Sequence, residues 1–314
     1  MIAFLFPGQG SQRVGMGRAL AALPECRAVF DEADDVLGLP LSRLCFEGPD
    51  EDLRLTENTQ PAILTVSIAA ARLLAARGIR PDYVAGHSLG EYSAHVTAGT
   101  FSFADAVRIV RRRGRYMQEA VPPGEGAMAA ILGADAAAVA RACEEAADAG
   151  PVSAANLNAP GQIVIAGARD AVAKAAERAR ALGAKRVVLL PVSAPFHCAL
   201  MRPAQARLEP ELRALTAVDP GIPVVANIDA EPKTSAAAAI DALVAQVSAP
   251  VRWDDVVRRL ASAGVRAYVE VGPGTVLSGL VRKIDREARV TNLEAPDQLA
   301  AVEALAAAAR GALS

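Results

Sequence analysis

The sequence predicts an α/β fold built on a parallel sheet, with a smaller ferredoxin-like module inserted into it. Three observations lead there. Short continuous apolar runs such as Ile2-Ala3-Phe4-Leu5-Phe6 alternate with longer segments of helical periodicity. That is the pattern of strands buried on both faces and joined by covering helices. Between residues 124 and 193 the order becomes strand, helix, strand, strand, helix, strand, which is the split βαββαβ unit. Finally, Gly86-His87-Ser88-Leu89-Gly90 closes an apolar strand and opens a helix. This is the G-x-S-x-G turn that lifts a serine above the edge of a sheet.

Composition narrows the class. The chain has 314 residues, 52% of them hydrophobic, enough for a large core. A formal net charge of −2 and the absence of a long basic run argue against a nucleic-acid binder. Cys26, Cys45, Cys143 and Cys198 are far apart and form no C-x-x-C pair. Neither a disulfide framework nor a metal site is expected from them, and a reducing cytoplasm is the expected location. The apolar N-terminal run lacks a basic flank and stops at Pro7-Gly8, so it reads as a buried strand and not a leader or membrane span.

Taken in order, residues 2–6 are the first strand. Pro7-Gly8-Gln9-Gly10-Ser11-Gln12 forms a tight loop, followed by a helix expected to start near Gly15. A dinucleotide-binding G-x-G-x-x-G would need glycine at position 13, which is Arg13. The loop reads instead as a plain reversal or as a backbone cradle, with Gln9 supplying an amide. Helices are expected at 25–37 and at 61–77, the second opening on Pro61 at a favoured first position. After the serine turn, a helix at 103–120 carries Arg111, Arg112, Arg113 and Arg115. So many arginines in so short a run point around most of the circumference. At least one should face inward, where it needs an anion.

Within the inserted module, strands are expected at 127–132, 152–157, 162–166 and 186–192, with helices at 135–148 and 170–182. The chain returns through Ser193-Ala194-Pro195-Phe196-His197 to a helix at 199–215. A strand at 223–227, helices at 239–247 and 253–263, a strand at 266–271 and helices at 275–284 and 296–311 complete it. The expected domains are therefore 1–123 with 194–314, and 124–193.

A serine nucleophile needs a base. The sequence holds three histidines. His87 adjoins Ser88, so the two side chains diverge, and it is expected to pack or hydrogen-bond beneath the turn. His95 lies about 10 Å along the following helix. His197 sits where the chain leaves the inserted module, at the kind of junction where clefts form, and is the expected base. No aspartate between them falls at a strand end of the main sheet. A Ser–His dyad, its imidazole held by a backbone or amide oxygen, fits better than a triad.

These residues together resemble the malonyl-CoA:acyl carrier protein transacylases. The resemblance is carried by Pro7–Gln12, Gly86–Tyr92, Arg113-Gly114 with Met117–Ala120, Asn156–Gln162, Ser193–His197 and Glu270–Gly274. It implies an α/β-hydrolase-like larger subdomain around the ferredoxin-like insertion. It also implies a two-step transfer of a malonyl group from malonyl-CoA, through Ser88 with His197 as base, to the phosphopantetheine thiol of acyl carrier protein. By the same resemblance the backbone N–H groups of Gln9 and Leu89 form an oxyanion hole. Arg113 takes the substrate's free carboxylate, Gln246 orients the histidine, and Phe196 and Met117 line the pocket.

No metal or redox cofactor is implied, and a monomer without nucleic-acid or membrane partners is expected. Arg111, Arg115, Lys185 and Arg202 are the expected docking candidates for an acidic carrier. An acyltransferase serving a polyketide pathway, a serine thioesterase and a non-catalytic acyl-CoA-binding module are the competing readings.

Overall fold

The computed structural model describes residues 1–192 and 194–311. The chain runs β1 (Ile2–Phe6), α1 (Pro24–Leu37), α2 (Leu41–Glu47), α3 (Asp50–Leu53), α4 (Thr56–Ala76) and β2 (Tyr83–Gly86). It continues through α5 (Gly90–Thr97), α6 (Phe103–Glu119), β3 (Gly126–Leu132), α7 (Ala136–Glu144), β4 (Val152–Ala159), β5 (Gln162–Ala168), α8 (Arg169–Ala181) and β6 (Arg186–Leu189). The last part is α9 (Arg202–Arg213), β7 (Val224–Val225), β8 (Pro232–Lys233), α10 (Ala236–Gln246), α11 (Trp253–Ser262), β9 (Ala267–Val271), α12 (Val276–Ile284), β10 (Arg289–Leu293) and α13 (Leu299–Gly311).

Two sheets result. The larger has the order β10-β9-β1-β2-β7-β8, parallel except for the short antiparallel β8. Every residue of β1 and of β9 is buried, as continuous apolar strands covered on both faces must be. The smaller sheet is antiparallel, in the order β4-β5-β3-β6, with α7 and α8 packed on it over a separate apolar cluster.

Parallel pairing puts the C-terminal ends of β1, β2 and β7 side by side, and the chain leaves them as the Gln9 loop, the Ser88 turn and Asn227. In open α/β sheets this edge is where ligands bind.

Helix α4 is apolar on nearly all sides, with 16 of its 21 residues buried. It is long and apolar enough to cross a bilayer, but 83% of that stretch lies inside the protein, as in a core helix.

The structure corrects several boundaries. No helix starts at Gly15: Gly15 and Gly17 have φ of 94° and 77°, which a right-handed helix cannot contain. Only a single turn at Leu20–Ala22 precedes α1, which opens with Pro24 in its first turn.

Helix α4 starts at Thr56, not at Pro61, which sits in its second turn. The ring removes the hydrogen bond to the Glu57 carbonyl. Packing offsets this, because Thr56, Thr59 and Gln60 are all buried. Gly114 of α6 also approaches the Thr56–Glu57 backbone so closely that a Cβ would overlap it. The strand expected at 223–227 shortens to Val224–Val225, which frees Asn227 to reach the serine turn. Helices α2 and α3 and the half-exposed strand β10 carried too little periodicity to be foreseen.

The serine turn is held by close backbone contacts. A Cβ on Gly86 would overlap the backbone of Gly90, and one on Gly90 would overlap the Phe6 carbonyl. Gly90→Ala is therefore expected to lower stability by about 3 kcal/mol, read as a shift of the urea midpoint with unchanged slope. An unshifted midpoint would show that the turn relaxes freely.

Candidate active site

Ser88 follows β2 at the point where parallel pairing ends. Its φ is 52°, a left-handed conformation uncommon outside glycine and characteristic of strained functional turns. The side chain stands at the mouth of a pocket lined by Gln9, Gln60, His87, Leu89, Arg113, Met117, Met128, Asn156, Leu190, Val192, Phe196 and His197. The two sheets meet here. Met128 comes from β3 of the small sheet, and Leu190 and Val192 from the chain just beyond β6. The strand expected to run to 192 ends at Leu189, so these two side chains line the pocket.

His197 also has a positive φ, 60°, and is buried. Its Nε2 lies 2.7 Å from Ser88 Oγ and its Nδ1 lies 3.0 Å from the Gln246 backbone carbonyl. A carbonyl can only accept, so Nδ1 carries the proton and Nε2 presents a lone pair to the serine. Burial, and then the Arg113 charge, push the imidazole down to about 3, so it is neutral at ordinary pH. That is a base ready to receive the serine proton, oriented by a backbone oxygen and not by an acid. Ser193, in the loop leading to His197, lies outside the described residues.

Arg113 points inward and is 1% exposed. Its Nη1 donates to Gln60 Oε1 at 2.7 Å, and its Nη2 donates to Gln246 Oε1 at 2.9 Å and to Ser88 Oγ at 3.1 Å. Its Nε has no partner among the described residues. All three acceptors are neutral. Burial pushes this guanidinium down, with the nearby Tyr92 and Glu91 acting against that. A buried cation bonded only to neutral oxygens gains strongly from an incoming anion.

The pocket brings together Ser88, His197, Gln9, Leu89, Arg113, Met117 and Phe196, with Gln246 directly behind them. The backbone amides of Gln9 and Leu89 have no acceptor among the described residues. Leu89 stands at the N-terminus of α5, where free N–H groups favour developing negative charge.

His87 is hydrogen-bonded to Asn158 Oδ1 at 2.8 Å and tilts against Trp253, as expected of a packed residue, though it also reaches the pocket. His95 is fully buried against Thr100, away from the pocket. Arg111 and Arg115 line a separate groove with Val36 and Leu37, and Arg202 lies beside Gln205 and Glu209. The Lys185 stem packs over Gly133. None of the four lines the serine pocket.

Sequence reasoning missed Gln60, Asn227 and Glu91. Asn227 Oδ1 accepts the Ser88 N–H at 2.7 Å, and Glu91 is buried beneath Gln246. Asn227 had a faint signal as the polar end of an apolar strand. Gln60 had none, because it fell outside the expected helix.

A strained serine on a parallel-sheet edge, hydrogen-bonded to a neutral histidine and faced by a buried cation, is an arrangement suited to an acyltransferase. Residues 3–307 match the family model described as the acyl transferase domain. The chain belongs to that family, among the malonyl CoA-acyl carrier protein transacylases.

It is 50% identical to the malonyl CoA-acyl carrier protein transacylase of Escherichia coli (strain K12) over 301 residues, covering 95% of this chain and 97% of that one. The acyl carrier protein S-malonyltransferase of Vibrio cholerae superposes with a TM-score of 0.94 at 45% identity, covering 96% and 99% of the two chains. A malonyl-transacylase solved in complex with its type II PKS acyl-carrier protein gives 0.94 at 45% identity, covering 97% and 98%.

Proposed function

We propose that this chain transfers the malonyl group of malonyl-CoA to the phosphopantetheine thiol of acyl carrier protein, supplying extender units for fatty acid synthesis. The observation that carries the reading is Arg113: a buried guanidinium with neutral partners, touching the nucleophile. A substrate carboxylate supplies the missing anion and brings the thioester carbon to Ser88.

In the first half-reaction Ser88 Oγ bonds the thioester carbon while its proton moves to His197 Nε2. The carbonyl oxygen, now negative, lies against the Gln9 and Leu89 amides. The carbon–sulfur bond breaks and CoA leaves with the proton from His197. In the second, the carrier thiol gives its proton to His197 and attacks the malonyl ester, and Ser88 leaves and regains a proton. Both steps exchange one acyl bond for another without change of oxidation state, so we assign no metal or redox cofactor.

We read residues 1–123 with 194–314 as an α/β-hydrolase-like unit and 124–193 as a ferredoxin-like insertion, supported by strand order in the two sheets. We place the enzyme in the cytoplasm as a monomer without nucleic-acid or membrane partners. Its four cysteines are free and buried, in keeping with a reducing compartment.

The test is intact mass after incubation with malonyl-CoA or acetyl-CoA, without carrier protein. A malonyl adduct on the Ser88 peptide, with at most a slow trace from acetyl-CoA, is expected. Steady release of CoA without an adduct would instead indicate a hydrolase. A polyketide role is the second reading, favoured by the type II PKS carrier in the solved relative. Transfer rates to fatty acid and polyketide carriers separate the two.

A further inference from the structure

Two buried side chains outside the pocket converge on Gln246. The Gln246 amide is a hub, because its backbone carbonyl orients His197 while its side-chain oxygen accepts from Arg113. Its Nε2 faces Glu91 Oε2 at 2.8 Å, the Ser88 carbonyl at 3.0 Å and Asn227 Oδ1 at 3.5 Å. Turning this amide over would set its oxygen against a carboxylate and a carbonyl, and its NH2 against a guanidinium. Attractive contacts would become repulsive ones, so the oxygens beneath Gln246 decide which end meets Arg113.

Asn227 ties the same group to the nucleophile. Its N–H donates to Glu91 Oε2 at 2.9 Å, its Nδ2 donates to the Gly86 carbonyl at 2.7 Å, and its Oδ1 accepts the Ser88 N–H at 2.7 Å. Ser88, held in this way, is strained to positive φ. Both Glu91 and Asn227 are fully buried.

We infer that Glu91 and Asn227 are positioning residues for the acyl transfer. Glu91 sets the Gln246 amide that aims Arg113, and Asn227 holds the Ser88 backbone in its reactive conformation. The inference rests on the roles proposed above for Ser88, His197 and Arg113.

Glu91 acts through its acceptor oxygen and not through its charge. Its Oε1 has no partner among the described residues, so a proton there leaves Oε2 free to accept from Gln246 and Asn227. Burial pushes the carboxyl up to about 7, with Arg113 on α6 lowering it and Asp229, beyond β7, raising it.

The experiment compares Glu91→Ala, Glu91→Gln and Asn227→Ala in steady-state transfer from malonyl-CoA to carrier protein, with thermal midpoints recorded. Glu91→Ala is expected to raise KM for malonyl-CoA with a loss in kcat/KM on the order of 100-fold, because a misaimed guanidinium weakens carboxylate binding. Glu91→Gln, which keeps an acceptor oxygen, should recover to within about 10-fold of the parent. Asn227→Ala should instead lower kcat and leave KM nearly unchanged. Asn227→Ser serves where the alanine variant does not fold.

A glutamine variant as poor as the alanine variant would overturn the acceptor role. Variants that lose kcat alike, in step with their thermal midpoints, would overturn both assignments in favour of a merely structural one. A parent protein that forms no malonyl adduct would overturn the functional reading itself, which is a separate result.

Discussion

Replacing Ser88 with alanine abolishes the acyl adduct and lowers malonyl transfer by about 10⁴-fold or more, and His197→Ala costs nearly as much. The two are expected to be non-additive, since the double variant loses the same proton-transfer pair only once. The geometry dictates this: Nε2 is 2.7 Å from Oγ, and no other histidine among the described residues bonds to it, since His87 is engaged with Asn158 and His95 with Thr100. Residual activity would come from the oxyanion donors and substrate binding alone.

The same burial predicts the pH dependence. His197 is pushed down to about 3 by desolvation and by Arg113, so its neutral form persists far below the ordinary histidine range. Activity assigned to this base is therefore lost only as pH falls towards that value. The profile of kcat/KM, which reports the free enzyme, should show no histidine inflection near 6.5. An inflection there that disappears in His197→Ala would mean that the imidazole is hydrated in solution. Stability follows the same sign. The unfolded chain takes up protons on His95 and His197 that the folded chain refuses, so the contribution of these two histidines to stability falls as pH drops from about 6.5 towards 3. Glu91, pushed up to about 7, acts in the opposite direction.

How much of this was legible depended on whether a residue's task is local. Ser88 was readable because a strand, two close-packing glycines and a helix start must sit in sequence around it. His197 was readable by elimination among three histidines. Arg113 was readable as one of several arginines too crowded to be all outside, while its choice among them came from family resemblance.

Gln60, Glu91 and Asn227 work only through partners 19 or more residues away, or through an amide orientation, and neither leaves a periodic trace. Glu91 shows the limit well. Placed in the first turn of α5, a glutamate reads as an exposed dipole partner, yet it is fully buried, with the Asn227 and Gln246 donors on one oxygen. The boundary errors share this cause. Pro61 is a good helix opener locally, but packing of α6 on α4 extends the helix past it.

Arg113→Ala should reduce kcat/KM for malonyl-CoA on the order of 1,000-fold while leaving acetyl-CoA acylation unchanged or faster. With malonyl-CoA the guanidinium exchanges neutral partners for a carboxylate. With acetyl-CoA it stays buried and unpaired beside a methyl group. Removing it takes away the gain in the first case and the penalty in the second. The pocket also has apolar lining from Met117, Met128, Leu190, Val192 and Phe196, which suits an uncharged acyl group.

Arg113→Lys should not restore malonyl transfer. An ammonium cannot reproduce the planar fork whose two terminal nitrogens reach Gln60, Gln246 and Ser88 together. The substitution also strips donors from two buried glutamine oxygens, at about 1–3 kcal/mol for each one left unpaired, so the thermal midpoint must be measured beside the kinetics. If malonyl and acetyl acylation fell by the same factor at an unchanged midpoint, Arg113 would be serving Ser88 through its 3.1 Å contact and not selecting the carboxylate. A change in the malonyl-to-acetyl ratio assigns it to selection, because a donor acting only on the nucleophile treats every thioester alike.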